Sequence, residues 1–340
     1  MKYYGFIFCF FMLSITIFLR SEKLHEFQEP FKAVYLAMDE EQIYIADRDD
    51  NVIHIYSRKD FAHIGQFGGE GQGPAEFEFI GFIRIYPDFI YVSGERKISY
   101  FSKKGNLIRT ATPFPNSGGY IPLGENFVCR TYPGENPKEE KAKVQVELLD
   151  SGFTNKRALY LAEFQKFVRY NFQTGKRDVL LVRDCFKLDV YNDRLYVGNT
   201  DKGFFFIVFD ASGEKLYEIN LPWKEHKVSS DEKKYLIDRE RQGWGEQRFN
   251  QLKASQDYVF PRFYPAYSDF TVTDGKIYVF SYPIKDKPQE VFILDLQGNI
   301  LRKNTIPDVQ PSYFISKGIC YYIKYNDDTY KWELHLTKLD

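Results

Sequence analysis

The stretch that decides the fold runs Gln42-Ile43-Tyr44-Ile45-Ala46-Asp47, then a polar turn, then Val52-Ile53-His54-Ile55-Tyr56 and a last run over residues 61–67. Each run is short, carries β-branched and aromatic residues, and ends at residues that favour turns, which is how strands read. The same grammar returns at Phe89-Ile90-Tyr91-Val92, followed by Ile98-Ser99-Tyr100-Phe101 and Gly105-Asn106-Leu107-Ile108. It returns at Arg194-Leu195-Tyr196-Val197 with Phe206-Ile207-Val208-Phe209-Asp210, and at Lys276-Ile277-Tyr278-Val279 with Val291-Phe292-Ile293-Leu294-Asp295. A strand unit repeated about six times cannot bury its apolar faces alone, but stacked in a ring it forms a β-propeller.

The recurring second strand starts near residues 43, 89, 127, 195, 277 and 319, with spacings of 46, 38, 68, 82 and 42 residues. Three spacings fit one four-stranded blade of roughly 40–50 residues, and two are long enough for a blade plus an insertion. The expected fold is therefore all-β, a six-bladed β-propeller of four-stranded antiparallel blades over residues 24–340. The first long gap holds Phe167-Val168-Arg169-Tyr170-Asn171-Phe172, a turn, and Val179-Leu180-Leu181-Val182. This reads as a hairpin elaboration between blades three and four, the alternative being a degenerate seventh blade. The second gap, about residues 224–260, reads as a helical insertion between blades four and five. Ser229-Ser230-Asp231-Glu232 is a capping box, and Gly243 and Gly245 stop the helix it starts. The last unit supplies three strands, and Leu24-His25-Glu26-Phe27 is the candidate for its missing outer strand, which would close the ring.

The N-terminus is a different kind of sequence. One lysine, Lys2, precedes an uncharged run over residues 3–19, and Arg20 follows. That layout fits a signal peptide or a membrane anchor within residues 1–20, with a buried core segment as the lesser reading. It places the propeller outside the cytoplasm, periplasmic or extracellular, and close to the membrane. A formal charge of -1 argues against a nucleic-acid partner. Cys129, Cys185 and Cys320 form no Cys-x-x-Cys pair and sit in apolar runs, so they read as small buried thiols.

The most specific segment is Gly65-Gln66-Phe67-Gly68-Gly69-Glu70-Gly71-Gln72-Gly73-Pro74-Ala75-Glu76-Phe77. It resembles the glycine-rich connector of NHL-like propellers and of bacterial six-bladed, TolB-like propellers. Residues 261–279, where a tyrosine- and proline-rich lead-in follows the helical insertion, look like the second group. The resemblance implies the fold and leaves the function open. The connector's glycine spacing is not a phosphate loop, because no helix and no Gly-Lys-Ser/Thr follow.

Catalytic signals are thin. The five histidines show no metal-ligand spacing, and no Gly-x-Ser-x-Gly elbow occurs. Asp47-Arg48-Asp49-Asp50-Asn51 is the one calcium-like run, and it reads better as a turn. No cofactor is implied apart from that calcium candidate. In a propeller, the blade-to-blade connectors share one rim with the loops between second and third strands. That logic puts Asp47, Arg48, Arg96, Asn199, Trp244, Arg262 and Tyr264 on the candidate binding face. The expected function is non-catalytic recognition of a protein, peptide or glycan there. The alternative is a metal-dependent propeller enzyme, lactonase- or lyase-like, with its site on the central axis.

Overall fold

A computed structural model describes residues 21–28, 32–94, 97–112, 117–133, 139, 141–153, 156–307 and 312–339. β1 (Glu22–Glu26) comes first and is set aside by the strands that follow it. β2 (Ala33–Met38), β3 (Gln42–Asp47), β4 (Val52–Ser57) and β5 (His63–Gly68) form one antiparallel sheet in sequence order. β6 (Ile80–Ile85), β7 (Ile90–Gly94), β8 (Ile98–Phe101) and β9 (Leu107–Ala111) form the second. The third is β10 (Ser117–Leu123), β11 (Asn126–Thr131), β12 (Lys141–Leu149) and β13 (Lys156–Gln165).

Two insertions follow, each ahead of a further sheet. The hairpin of β14 (Val168–Asn171) and β15 (Lys176–Leu180) precedes the fourth sheet, β16 (Phe186–Tyr191), β17 (Arg194–Asn199), β18 (Phe204–Phe209) and β19 (Lys215–Leu221). Helices α1 (Ser230–Trp244) and α2 (Glu246–Ser255) and strand β20 (Gln256–Val259) come next. The fifth sheet is β21 (Asp269–Thr273), β22 (Lys276–Phe280), β23 (Gln289–Asp295) and β24 (Ile300–Ile306). The sixth holds β25 (Ser312–Ser316), β26 (Ile319–Asn326) and β27 (Lys331–Lys338), and its outer edge is β1, paired antiparallel with β27. The N-terminal strand thus completes the last sheet and covers an edge that would otherwise be open to pairing.

The second and third strands lie between neighbouring sheets, so both of their faces are covered. Ile43, Tyr44, Ile45 and Ala46 are all buried, as is every residue of the Phe-Phe-Phe-Ile-Val-Phe strand β18. A strand covered on both sides reads as a continuous apolar run rather than as an alternation. Outer strands show the opposite. In β24, Ile300, Leu301, Arg302 and Lys303 are exposed. Six apolar clusters each join two consecutive sheets, and one of them, with Phe27, Ile43, Tyr56, Tyr321 and Leu334, joins the sixth sheet back to the first. This is the arrangement of a β-propeller.

The two insertions meet. β20 pairs in parallel with β15, giving a three-stranded sheet β14-β15-β20 beside the six four-stranded ones among the described residues. The hairpin therefore belongs to an accessory sheet whose third strand comes from the far side of the fourth sheet. α1 begins at the expected capping box, with Ser229 accepting from the Glu232 amide and Glu232 accepting from the Ser229 amide at 2.8 Å. It stops before Gly245, which has φ +75°. Both insertions leave from connectors that run from an outer strand to the next inner strand, so both stand at one rim.

The glycine-rich connector folds on itself. Phe77 is buried and donates from its amide to the Gly69 carbonyl at 2.8 Å, while the Glu76 carboxylate accepts the Gly73 amide at 2.8 Å. Those donors already have partners within the loop, as a structural turn requires and a phosphate cradle does not.

Candidate functional site

The inner strands β2, β6, β10, β16, β21 and β25 stand around the axis, with β25 beside β2, β2 beside β6, β10 beside β16 and β16 beside β21. They enclose a channel of two cavities, about 770 Å³ toward the connector rim and about 490 Å³ toward the opposite rim, and Tyr35, Arg84, Lys187 and Asp269 line both. The first cavity is lined by the starts of the inner strands and by residues of the connector that follows β15. A concavity of roughly 300–1,000 Å³ is what a small ligand needs.

The waist between the cavities is held by charge pairs. Arg84 donates to Asp189 at 2.6 Å, and Lys187 donates to Asp269 at 2.7 Å. Asp189 is buried and fully used. One carboxylate oxygen accepts from Arg84 and from the Val190 amide at 2.9 Å. The other accepts from the Thr271 hydroxyl at 3.0 Å and the Val272 amide at 2.8 Å. Asp269 accepts from the Tyr313 hydroxyl at 2.8 Å as well. Burial alone would lower Arg84 and Lys187, yet Asp189 beside the first and Asp269 beside the second hold both cations above their ordinary pKa. The two axial carboxylates therefore lock four inner strands, β6, β16, β21 and β25, to one another. Among the described residues no group of three or more His, Cys, Asp or Glu side chains is disposed to hold a metal.

The connector rim of the channel carries a surplus of positive charge. Arg84, Arg130, Arg183 and Lys187 line the larger cavity against Asp184 and Asp269. The Arg183 guanidinium lies over the Phe167 ring at 3.4 Å, and partial desolvation of that group lowers its pKa although the residue as a whole is exposed. Asp184 is drawn aside, accepting from the Thr200 hydroxyl at 3.2 Å, and its pKa is raised by burial and then by nearby Asp201. Tyr282, hydrogen-bonded through its hydroxyl to the Arg183 carbonyl, fixes this connector against the fifth sheet.

The residues expected on the binding face divide. Asp47 is buried, and one of its carboxylate oxygens accepts the amides of Lys32 and Asp49, both at 2.9 Å, so it shapes its turn. Asn199 is buried too, accepting from the Asp201 amide at 3.1 Å and donating to the Tyr160 hydroxyl at 3.0 Å. Tyr264 is buried in a separate cavity of about 290 Å³ with Trp223 and His226, and burial raises its hydroxyl to about 12. Arg262 lies over the Phe263 ring at 5.0 Å, in a segment bridged to Lys227. Trp244 is 55 % exposed and donates to Glu240 at 3.0 Å, whereas Phe249 is fully buried and anchors the helices. Arg48 is exposed and, with Arg130 and Lys187, acts electrostatically on the Tyr35 hydroxyl in the channel. Arg96 and the run over residues 3–19 lie outside the described residues.

Of the expected set, none lines the charged channel among the described residues, and Arg48 alone acts on it from outside through its charge on Tyr35. Arg84, Arg130, Arg183, Lys187, Asp189 and Asp269 were missed. A signal existed, since Lys187 and Asp189 alternate on one inner strand and so share a face. His54 and His63, nine residues apart, stand with Nδ1 and Nε2 at 3.4 Å, and His54 lies 3.8 Å from Asp47. Cys129, Cys185 and Cys320 are buried free thiols, and burial pushes Cys129 and Cys320 up to about 12.

No protein-family model and no curated protein matches the chain. Among solved structures, the chain is similar to a Bacteroides fragilis protein described as exported, at 12 % identity and a TM-score of 0.55, with 95 % of each chain covered. It also matches BamB from Moraxella catarrhalis at 12 % identity and a TM-score of 0.34, covering 88 % of this chain and 71 % of that one. A third match is Hsv2 of Kluyveromyces lactis, at 12 % identity and a TM-score of 0.38, covering 90 % and 98 %. At that identity, the likeness to the Bacteroides fragilis protein speaks for the fold alone. Among the described residues no helix is long and apolar enough to cross a membrane.

Proposed function

We propose that this chain is a six-bladed propeller acting outside the cytoplasm as a non-catalytic binding module. It takes its ligand, a protein, peptide or glycan, at the connector rim around the channel mouth. One observation carries the reading: insertions from two different connectors meet in the accessory sheet at this rim. Loops set on a rigid scaffold are where propellers and other β folds place recognition. The waist supports it from within, because carboxylates already saturated by cations and backbone amides hold the ring together and leave the concavity above them. Export is supported by the apolar N-terminal run, and the Bacteroides fragilis protein of similar fold is itself described as exported.

The test is to probe glycan and peptide arrays with the full chain. A rim variant, Arg48→Ala/Trp244→Ala/Arg262→Ala, is compared with Lys317→Ala at the exposed Lys317–Glu40 pair on the opposite rim. Loss of array binding in the rim variant alone is expected. Equal binding by both variants would overturn the reading.

A further inference from the structure

The cations of the channel are not equivalent. Arg84 and Lys187 are spent on Asp189 and Asp269, but among the described residues no carboxylate lies within ion-pair distance of Arg130 or Arg183, which line the same cavity. Asp184, the nearest remaining carboxyl on the cavity wall, is engaged by Thr200. Room for Arg130 is made by a glycine. A Cβ on Gly119 would sit 2.9 Å from one guanidinium nitrogen and 3.1 Å from Nε, and Gly119 has φ +66°. The guanidinium therefore rests against the bare backbone of the inner strand β10. Two guanidinium groups without a carboxylate partner, Arg183 stacked on Phe167 and Arg130 against Gly119, leave positive charge facing a partly enclosed cavity, where an anion gains from both.

We propose that the channel mouth is an anion site for a small carboxylate-bearing ligand, with Arg130 and Arg183 meeting the charge. The planar guanidinium fork pairs with a carboxylate through two parallel N–H donors. The rings of Tyr35, Phe82, Phe186 and Tyr282, which also line the cavity, cover the uncharged body of the ligand. A cavity of about 770 Å³ suits a sugar acid or the free C-terminus of a short peptide, which share this chemistry. The inference rests on the connector rim being the binding face and narrows what that face takes.

Isothermal titration of the full chain with glucuronate, glucose, N-acetyl-trialanine, N-acetyl-trialanine amide and inorganic phosphate separates the sources. At least one acid is expected to bind, its neutral counterpart not to, and added salt to weaken binding. Binding of glucuronate alone assigns a sugar acid, and of N-acetyl-trialanine alone a peptide terminus. Arg183 is exposed, so Arg183→Met is expected to fold normally and to weaken the acid about tenfold. Arg130→Lys, which keeps the charge and loses the fork, is expected to weaken it less than Arg130→Met. Acids and neutral counterparts binding alike, no acid binding at millimolar concentration, or phosphate matching the acids would each overturn the carboxylate site. If array ligands still depend on the rim residues in that event, the binding-face reading stands without it.

Discussion

At the scale of single residues, Asp189 does the most to organise the axis. Its four acceptor positions are filled by Arg84, Thr271 and two backbone amides, so it joins inner strands that are distant in sequence. Removing it leaves Arg84 without its counter-charge in the channel and two amides without acceptors. Breaking such a buried pair from one side costs about 3–5 kcal/mol. Asp189→Ala is therefore expected to lower the urea midpoint markedly, and an unchanged midpoint would show that the waist is not structural. Asp47 and Asn199 show the other lesson of this scale. Both are turn residues whose side chains look available in the sequence, and both are consumed by neighbouring amides.

At the scale of elements, the accessory layer depends on a start signal that the sequence states openly. The Ser229–Glu232 box satisfies amides that α1 would otherwise leave free, and Phe249 fixes α2 beneath them. Loss of an N-cap hydroxyl costs about 1 kcal/mol. Ser229→Ala should speed hydrogen exchange across α1 while leaving the amides of the four-stranded sheets unchanged. Uniform acceleration through the ring would mean that the helices are integral to it. The helix was legible because capping is local chemistry. The parallel pairing of β20 with β15 was not, since Arg177 and its register partner Gln256 lie 79 positions apart and no local signal names a partner.

At the scale of the whole molecule, the ring closes where its ends meet, and that closure is sensitive to acid. Lys23 of β1 donates to Glu333 of β27 at 2.6 Å, and Asn326 and His335 also bond to Glu333. Burial alone would raise the Glu333 pKa, but these three hydrogen bonds hold it down to about 2, from an ordinary 4.5. A depressed carboxyl adds stability that is present above its unfolded pKa and is lost as pH falls toward the folded value. His25, stacked 5.0 Å from Phe61 across the same closure, is lowered by burial. The unfolded chain takes up that proton first, so stability falls again in the same direction as pH drops below about 6.5. Urea midpoints are expected to fall from neutral pH toward pH ~3, and Glu333→Gln to flatten the lower part of that fall. A pH-independent midpoint would remove both groups from the closure.

The sequence by itself determined the strands, their grouping into repeating units and the helical insertion. Those features rest on side-chain period, turn chemistry and capping, all of which act over a few residues. Tertiary structure alone decided which charges meet. Arg84, Lys187, Asp189 and Asp269 come from three inner strands spread over residues 80–273, and each looks ordinary where it stands. They form a network only because the ring brings the start of every sheet to one axis, where cations of one strand meet carboxylates of another.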